Sequence, residues 1–229
     1  LVSPKSTWKI VKDAYGIEDI YPAKDGFELS PEEEHTLELG LMIAKGVSKR
    51  DFERVGCTAQ IEPHAEEVIS QLFSMRIEVH IATLSPDAIA RIVASRINKK
   101  FKENNFARVH APFALFDLDD KLVDIIAYPN IESELEERVW RGTEMDKAEV
   151  ILNIAKKLNI NPEEVIFVSD GHDVDAAKRI RTLAYKSEDP ELRKYAAKEI
   201  SDLREVLEYI KQQNFMEVKR ENFLIRSEK

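Results

Sequence analysis

The 229 residues suffice for one large domain or for a core with a small second domain, and the 43% of hydrophobic residues can fill a sizeable interior. The 34 Lys and Arg residues are outnumbered by 43 Asp and Glu residues, and the formal charge of −9 argues against nucleic acid and anionic membrane surfaces as partners. The one cysteine, Cys57, rules out an intramolecular disulfide, and no apolar run reaches the ~18 residues of a membrane span, so the sequence predicts a cytoplasmic protein.

The first part of the chain has a helical character. A helix is predicted to open at Pro31 and another to cover residues 49–55, and no convincing buried strand occurs between residues 8 and 56. We therefore expect a small helical domain over residues 8–56, inserted into a core formed by residues 1–7 and 57–211.

From residue 60 onward, helical and strand-like patterns alternate, which is typical of a parallel sheet wrapped by helices. The first unit consists of a helix over residues 63–75, a buried strand over 77–83 and a helix over 86–97. Ser85 is expected to cap the second of these helices, because Pro at the first helical position and an early acidic residue follow it.

The same alternation continues downstream. Helices are predicted over residues 147–158, 174–181, 191–200 and 202–211, and strands over 165–168 and 183–185. The sequence thus predicts an α/β fold with a doubly wound parallel sheet and a small α-helical second domain. The tail, residues 212–229, carries aromatic and aliphatic side chains, and two docking places remain open for it: the core, or a second copy in a homodimer.

Polar side chains occur where the predicted strands end. Thr83 and Asp170 each end a strand, and Lys147 opens a helix. Ligands of open α/β sheets bind at the carboxyl ends of the strands, where carboxylates can hold Mg²⁺ and a hydroxyl or ammonium group can hold phosphate oxygens. Each residue also has a purely structural explanation: an ordinary strand threonine, a solvated helix lysine, and a helix cap at Asp170 or Asp173. Glycine-rich motifs for dinucleotides or nucleoside triphosphates are absent from the sequence.

Residues 60–200 resemble the haloacid dehalogenase-like (HAD) hydrolases, and in detail their phosphoserine phosphatase-like branch. HIATLSPD is similar to the family's motif II at Thr83, MDKAEVI to motif III at Lys147, and VIFVSDGHDVDAA to motif IV. Residues 8–56 resemble the helical C1 cap of the family. The resemblance implies a Rossmann-like core, Mg²⁺ as the cofactor, and a small phosphorylated metabolite as the substrate, with phosphoserine as one candidate.

The resemblance also implies a role for each motif residue. An aspartate attacks phosphorus, and water then hydrolyses the aspartyl-phosphate. Thr83 and Lys147 would bind the substrate and act in catalysis, Thr83 by donating a hydrogen bond to the phosphoryl oxygens and Lys147 by balancing negative charge. Asp170 would ligate Mg²⁺, and Asp173 would support the metal or its waters. The spacing from Asp170 also permits Asp175 in the place of Asp173.

The nucleophile motif of the family, D-x-D-x-[TV], does not occur in this sequence. The opening residues LVSPKSTW resemble those that follow the motif, so the nucleophile is expected upstream of Leu1, and residues 1–229 alone are expected to be inactive. Two alternatives remain open: a non-catalytic phosphate- or protein-binding relative, and a permuted enzyme that uses Asp117 of FALFDLDDKLV. We interpret that segment instead as a β-hairpin around residues 119–121.

Overall fold

The computed structural model describes residues 2–3, 7–18, 31–98, 108–126, 140–141, 144–145, 147–171 and 173–213. The helices are α1 (Thr7–Ala14), α2 (Pro31–Ala44), α3 (Lys49–Thr58), α4 (Ala65–Ser74), α5 (Asp87–Asn98), α6 (Lys147–Leu158), α7 (Val174–Arg179), α8 (Pro190–Tyr195) and α9 (Arg204–Gln212). The strands are β1 (Val2–Ser3), β2 (Gln60–Ile61), β3 (His80–Ala82), β4 (Arg108–His110), β5 (Phe113–Phe116), β6 (Leu122–Ile126), β7 (Trp140–Arg141), β8 (Glu144–Met145), β9 (Phe167–Ser169), β10 (Thr182–Tyr185) and β11 (Lys198–Ile200).

The chain forms two compact units, the first from Leu1–Glu62 and Glu78–Lys147, the second from Pro63–Ile77 and Ala148–Lys229. In the first, β3 and β4 pair in parallel; in the second, β9, β10 and β11 form a parallel sheet in the order β11-β10-β9. Helices connect these parallel strands, so the predicted α/β class is confirmed. The domain boundaries at residues 7/8, 56/57 and 211/212 stay predictions, and residues 214–229 of the tail lie outside the described residues.

The periodicity of the sequence predicted most helices within a few residues. Helix α6 has both of its predicted ends, Lys147 and Leu158. The predicted helix over 191–200 was wrong in its second half, because α8 ends at Tyr195 and Lys198–Ile200 is a strand. Pairing with β10 satisfies the backbone hydrogen-bonding groups of β11 and buries Ile200. The free energy gained from this pairing and burial outweighs the local preference for a helix.

Helices α3 and α5 pack closely in the first unit. A Cβ atom added at Gly56 of α3 would lie 2.9 Å from the Ile92 Cβ atom of α5, so this contact requires glycine. The Arg96 guanidinium of α5 donates to the carbonyl oxygens of Gly56 and Ala59, at 2.8 and 2.7 Å, and so satisfies acceptors at the end of α3. These contacts join residues of the predicted cap to the helix that follows Thr83.

A tyrosine joins α1 to the start of α3. The Tyr15 hydroxyl donates to Asp51 Oδ2 at 2.5 Å, and the Ser48 amide donates to the same oxygen at 3.0 Å. Burial and the hydrogen bond to Asp51 raise the pKa of Tyr15 to about 12. Burial also raises the pKa of Asp51, but the hydrogen bonds from Ser48 and Tyr15 outweigh it and hold that pKa below its usual value. The ionised carboxylate therefore holds this corner together at neutral pH.

The segment FALFDLDDKLV forms the predicted hairpin. Strands β5 and β6 pair antiparallel, and Asp117 Oδ1 accepts hydrogen bonds from the amides of Asp119 and Lys121, at 2.9 and 2.8 Å. Asp120 takes the left-handed conformation that the turn needs, with φ of 58°. The hairpin interpretation is confirmed, and the Asp117 carboxylate serves the turn.

Candidate functional site

Thr83 directly follows β3, and its side chain is half-buried. Its amide donates to the His110 carbonyl at 3.0 Å, and its hydroxyl oxygen accepts from the Ser85 amide at 3.0 Å. A hydroxyl that accepts a hydrogen bond keeps its own proton for donation. The Thr83 hydroxyl is therefore held in place at the strand end and can still donate a hydrogen bond. Such a donor suits an anionic ligand such as a phosphoryl group.

Ser85 and Asp87 hold the loop that carries Thr83, through contacts that the sequence did not predict. Ser85 was wrongly expected to cap α5: its hydroxyl lies 2.6 Å from the Thr7 hydroxyl, and the first helical bond joins the Ala90 amide to the Pro86 carbonyl. Asp87 fastens the other end of the loop, since its amide donates to the Pro112 carbonyl at 2.8 Å and its Oδ1 accepts from the Ala114 amide at 3.2 Å. A serine and an aspartate before a helix are typical caps, so the sequence carried no signal for these longer-range contacts.

Two imidazoles lie on the strands that lead to this loop. His80 Nδ1 and His110 Nε2 are 3.0 Å apart, with the rings stacked. Burial lowers the pKa of His80, and the hydrogen bond that His80 Nε2 donates to Glu78 only partly opposes this. His80 is therefore neutral at pH 7, and a hydrogen bond between the rings adds to the pairing of β3 with β4.

Asp170 follows β9 as Thr83 follows β3. Strand β9 pairs with β10, so that Ser169 lies opposite Ala184, and the Asp170 side chain beyond it is exposed. The Asp170 side chain is thus exposed to solvent at the C-terminal end of an apolar strand of a parallel sheet. Ligands of α/β proteins bind at such strand ends. The cap explanation for Asp170 finds no support, because the residue at the cap position of α7 is Asp173.

The two candidates for the second acidic residue have different surroundings. Asp173 precedes α7, and its Oδ2 accepts a hydrogen bond from the buried Ser169 hydroxyl at 2.5 Å. Asp175 lies within α7, its side chain is 85% exposed, and it pairs with Lys178 at 3.3 Å. Asp173 makes no capping hydrogen bond to α7, so capping does not explain its carboxylate. The choice between Asp173 and Asp175 as the second metal residue stays a prediction.

Lys147 is the first residue of α6 and is half-buried. The next residue, Ala148, is fully buried in a cluster with Ala176 and Ile180, against which Phe167 of β9 also packs. The start of α6 is therefore anchored to the strand and helix that flank Asp170. The meeting of Thr83, Lys147 and Asp170 in one pocket stays a prediction.

Carboxylate oxygens are the donors that Mg²⁺ prefers, and it commonly takes only one or two of them together with water and phosphate oxygens. The exposed Asp170 and the oriented Asp173 fit this requirement. Among the residues that the structure describes, no group of three or more His, Cys, Asp or Glu side chains is placed to hold a metal ion. A metal site on these two carboxylates, with water and phosphate oxygens as further ligands, stays a prediction. No helix within the described residues is long and apolar enough to cross a membrane.

Solved structures with a similar fold include phosphatases and related hydrolases. A phosphoserine phosphatase in its apo form superposes with a TM-score of 0.68 and 20% identity, covering 91% of this chain and 93% of that one. A phospho-aspartyl intermediate analogue of phosphoserine phosphatase gives a TM-score of 0.66 and 22% identity over 90% and 91% of the two chains. A HAD family hydrolase from Salmonella enterica serovar Typhi gives a TM-score of 0.64 and 16% identity, covering 86% of this chain and 63% of that one.

No protein-family model and no curated protein sequence matches the chain. The structural likeness extends over nine tenths of the chain in the phosphoserine phosphatases. It confirms the predicted fold, that of the phosphoserine phosphatase-like HAD proteins, and at these identities it shows the fold alone.

Proposed function

We propose that this chain, which has the fold of the phosphoserine phosphatase-like HAD proteins, belongs to a Mg²⁺-dependent phosphatase for small phosphomonoesters, phosphoserine being one candidate. The observation that carries the proposal is the placement of the motif residues: Thr83 directly follows β3 and Asp170 directly follows β9, two strands of parallel pairs. Polar residues at such strand ends form the ligand sites of α/β folds. The reaction proposed is attack by an aspartate on phosphorus, followed by hydrolysis of the aspartyl-phosphate.

In this scheme Thr83 and Lys147 hold the phosphoryl group. The Thr83 hydroxyl, whose oxygen already accepts from the Ser85 amide, donates a hydrogen bond to a phosphoryl oxygen. The Lys147 ammonium lies at the start of an anchored helix and offsets the negative charges that nucleophile and phosphate bring together. Both contacts hold the phosphorus in line for attack, which lowers the barrier by several kcal/mol when the alignment is good.

Asp170 and Asp173 would hold the metal. Asp170 would contribute a carboxylate oxygen directly, and Asp173 would bind the ion or a water on it. When bound, Mg²⁺ supplies positive charge beside the phosphoryl oxygens as negative charge develops there.

The D-x-D-x-[TV] motif does not occur in residues 1–229, so this proposal assigns the attacking aspartate to no residue of the chain. Asp117 is the alternative within the chain, but its carboxylate accepts two amide hydrogen bonds in the turn between β5 and β6. A nucleophile must instead point at the substrate. The turn therefore weighs against a permuted enzyme.

A phosphate-release screen over a panel of phosphorylated metabolites tests the proposal. We expect Mg²⁺-dependent release from the protein as its gene encodes it, and none from residues 1–229 alone. Failure of the gene-encoded protein to release phosphate from any compound, with phosphate binding retained, would favour the non-catalytic relative. Steady phosphate release by residues 1–229 that is lost in Asp117→Asn would establish the permuted enzyme. It would also show that the Asp117 carboxylate does more than stabilise the turn.

A further inference from the structure

Ser169 is a buried polar residue that the proposed mechanism does not use. It is the last residue of β9 and only 5% of its surface is exposed. Its hydroxyl donates to Asp173 Oδ2 at 2.5 Å and accepts from the Gly171 amide at 3.2 Å. A serine hydroxyl has one proton, so the donation to Asp173 and the acceptance from Gly171 fix its orientation.

Both ends of this contact are anchored by regular structure. Ser169 is held by the pairing of β9 with β10, and the Asp173 carbonyl accepts the hydrogen bond from the Ala177 amide that starts α7, at 3.0 Å. The hydrogen bond from the Ser169 hydroxyl thus connects the end of β9 to the start of α7 and holds the Asp173 carboxylate beside the end of the strand. Asp170 lies between these two residues in the sequence. A hydrogen bond to a carboxylate is about twice as strong as one between neutral groups, so the Ser169–Asp173 contact should hold the two residues together well.

We propose that Ser169 is a positioning residue of the divalent-cation site, holding Asp173 and the loop around Asp170 in the geometry that binds Mg²⁺. The inference rests on the proposed function, because it assigns a purpose to the same site. Residues that orient metal ligands through hydrogen bonds commonly change metal affinity by about ten- to a hundredfold when they are removed. A serine that only packed β9 against its neighbours would affect stability without changing metal affinity.

The test is Mg²⁺ binding, measured by calorimetry on the whole chain, together with the melting temperature in EDTA. Ser169→Ala is expected to weaken Mg²⁺ binding about tenfold or more. Ser169→Thr keeps the hydroxyl and should restore binding to within about threefold of the original. Ser169→Cys, with a weak S–H donor, keeps the volume and should also bind Mg²⁺ weakly, which gives a second reading if the alanine variant fails to fold.

Ser201→Ala is the matched control. Ser201 belongs to the same compact unit, and its hydroxyl also donates to a carboxylate, that of Glu205, at 3.3 Å. This variant should leave Mg²⁺ binding unchanged.

The outcomes separate the inference from the proposed function. If the unchanged chain binds Mg²⁺ and the folded Ser169→Ala and Ser169→Cys variants bind it equally well, the inference is wrong and the proposed function stands. If Ser169→Thr binds as weakly as Ser169→Ala, packing rather than the hydroxyl matters, and the inference is again wrong. If the unchanged chain does not bind Mg²⁺ at millimolar concentrations, the metal assignment of the proposed function fails together with it.

Discussion

Replacing Asp170 with asparagine is expected to lower Mg²⁺-dependent phosphate release by about a thousandfold or more in the protein as its gene encodes it. The carboxylate is exposed at the end of β9, so losing its charge should leave the packing intact. An amide oxygen is a much weaker ligand for Mg²⁺, and the metal contributes several kcal/mol to the barrier reduction. Initial rates over a Mg²⁺ titration, with circular dichroism of each variant, measure the effect.

Asp175→Asn is the control for this substitution. Asp175 is also an exposed aspartate of the same segment, and it forms a surface pair with Lys178. Such pairs contribute little, and this variant should keep its activity within about twofold. Survival of both activity and Mg²⁺ dependence in Asp170→Asn would refute the metal assignment. Loss of both in Asp175→Asn would move the second acidic role from Asp173 to Asp175.

Replacing Lys12 with methionine is expected to lower the free energy of unfolding by about 3 kcal/mol. The Lys12 ammonium of α1 pairs with the Glu38 carboxylate of α2, and their side chains are only 7% and 13% exposed. The Trp8 indole donates to the other Glu38 oxygen at 2.7 Å. Removal of the cation leaves a nearly buried carboxylate without its positive partner, and burial of such a charge is costly. Urea unfolding at pH 7 measures the change.

Two further variants check this reason. Adding Glu38→Gln to Lys12→Met removes the buried charge while Trp8 keeps an acceptor, so about half of the lost stability should return. Lys9→Met breaks an exposed pair with Asp13 on the same helix and should cost less than about 0.5 kcal/mol. Equal losses in Lys12→Met and Lys9→Met would show that burial does not strengthen the Lys12–Glu38 pair.

The features that the sequence predicted correctly depend on local chemistry. Helix α6 has strong apolar periodicity over Lys147–Leu158, and an Asn-Pro pair soon follows it, so both ends were predictable. The hairpin was predictable because Asp119, Asp120 and Lys121 interrupt two β-rich runs, and Asp120 tolerates the positive φ of the turn. The places of Thr83, Lys147 and Asp170 beside strand and helix ends were predictable because the pattern already indicated those ends, and the roles of these residues stay predictions.

The features that the sequence did not reveal depend on contacts between distant residues. Lys198–Ile200 joins a sheet, against its helical pattern, because β10 offers a partner. Ser85 pairs with Thr7, 78 positions away, and cannot be distinguished from a helix cap in the sequence. Ser169 stands between an apolar run and Asp170, where a serine reads as an ordinary loop residue. Its hydrogen bond to Asp173 becomes visible only when strand and helix are in place.

The most direct measurement is a crystal structure of the gene-encoded protein with Mg²⁺ and bound phosphate. We expect an Asp170 carboxylate oxygen about 2.1 Å from the metal, and the Thr83 hydroxyl and Lys147 ammonium within about 3.2 Å of phosphate oxygens. Side-chain ends of Thr83, Lys147 and Asp170 that lie more than about 10 Å apart would contradict the account, because one phosphate and one Mg²⁺ cannot span that distance.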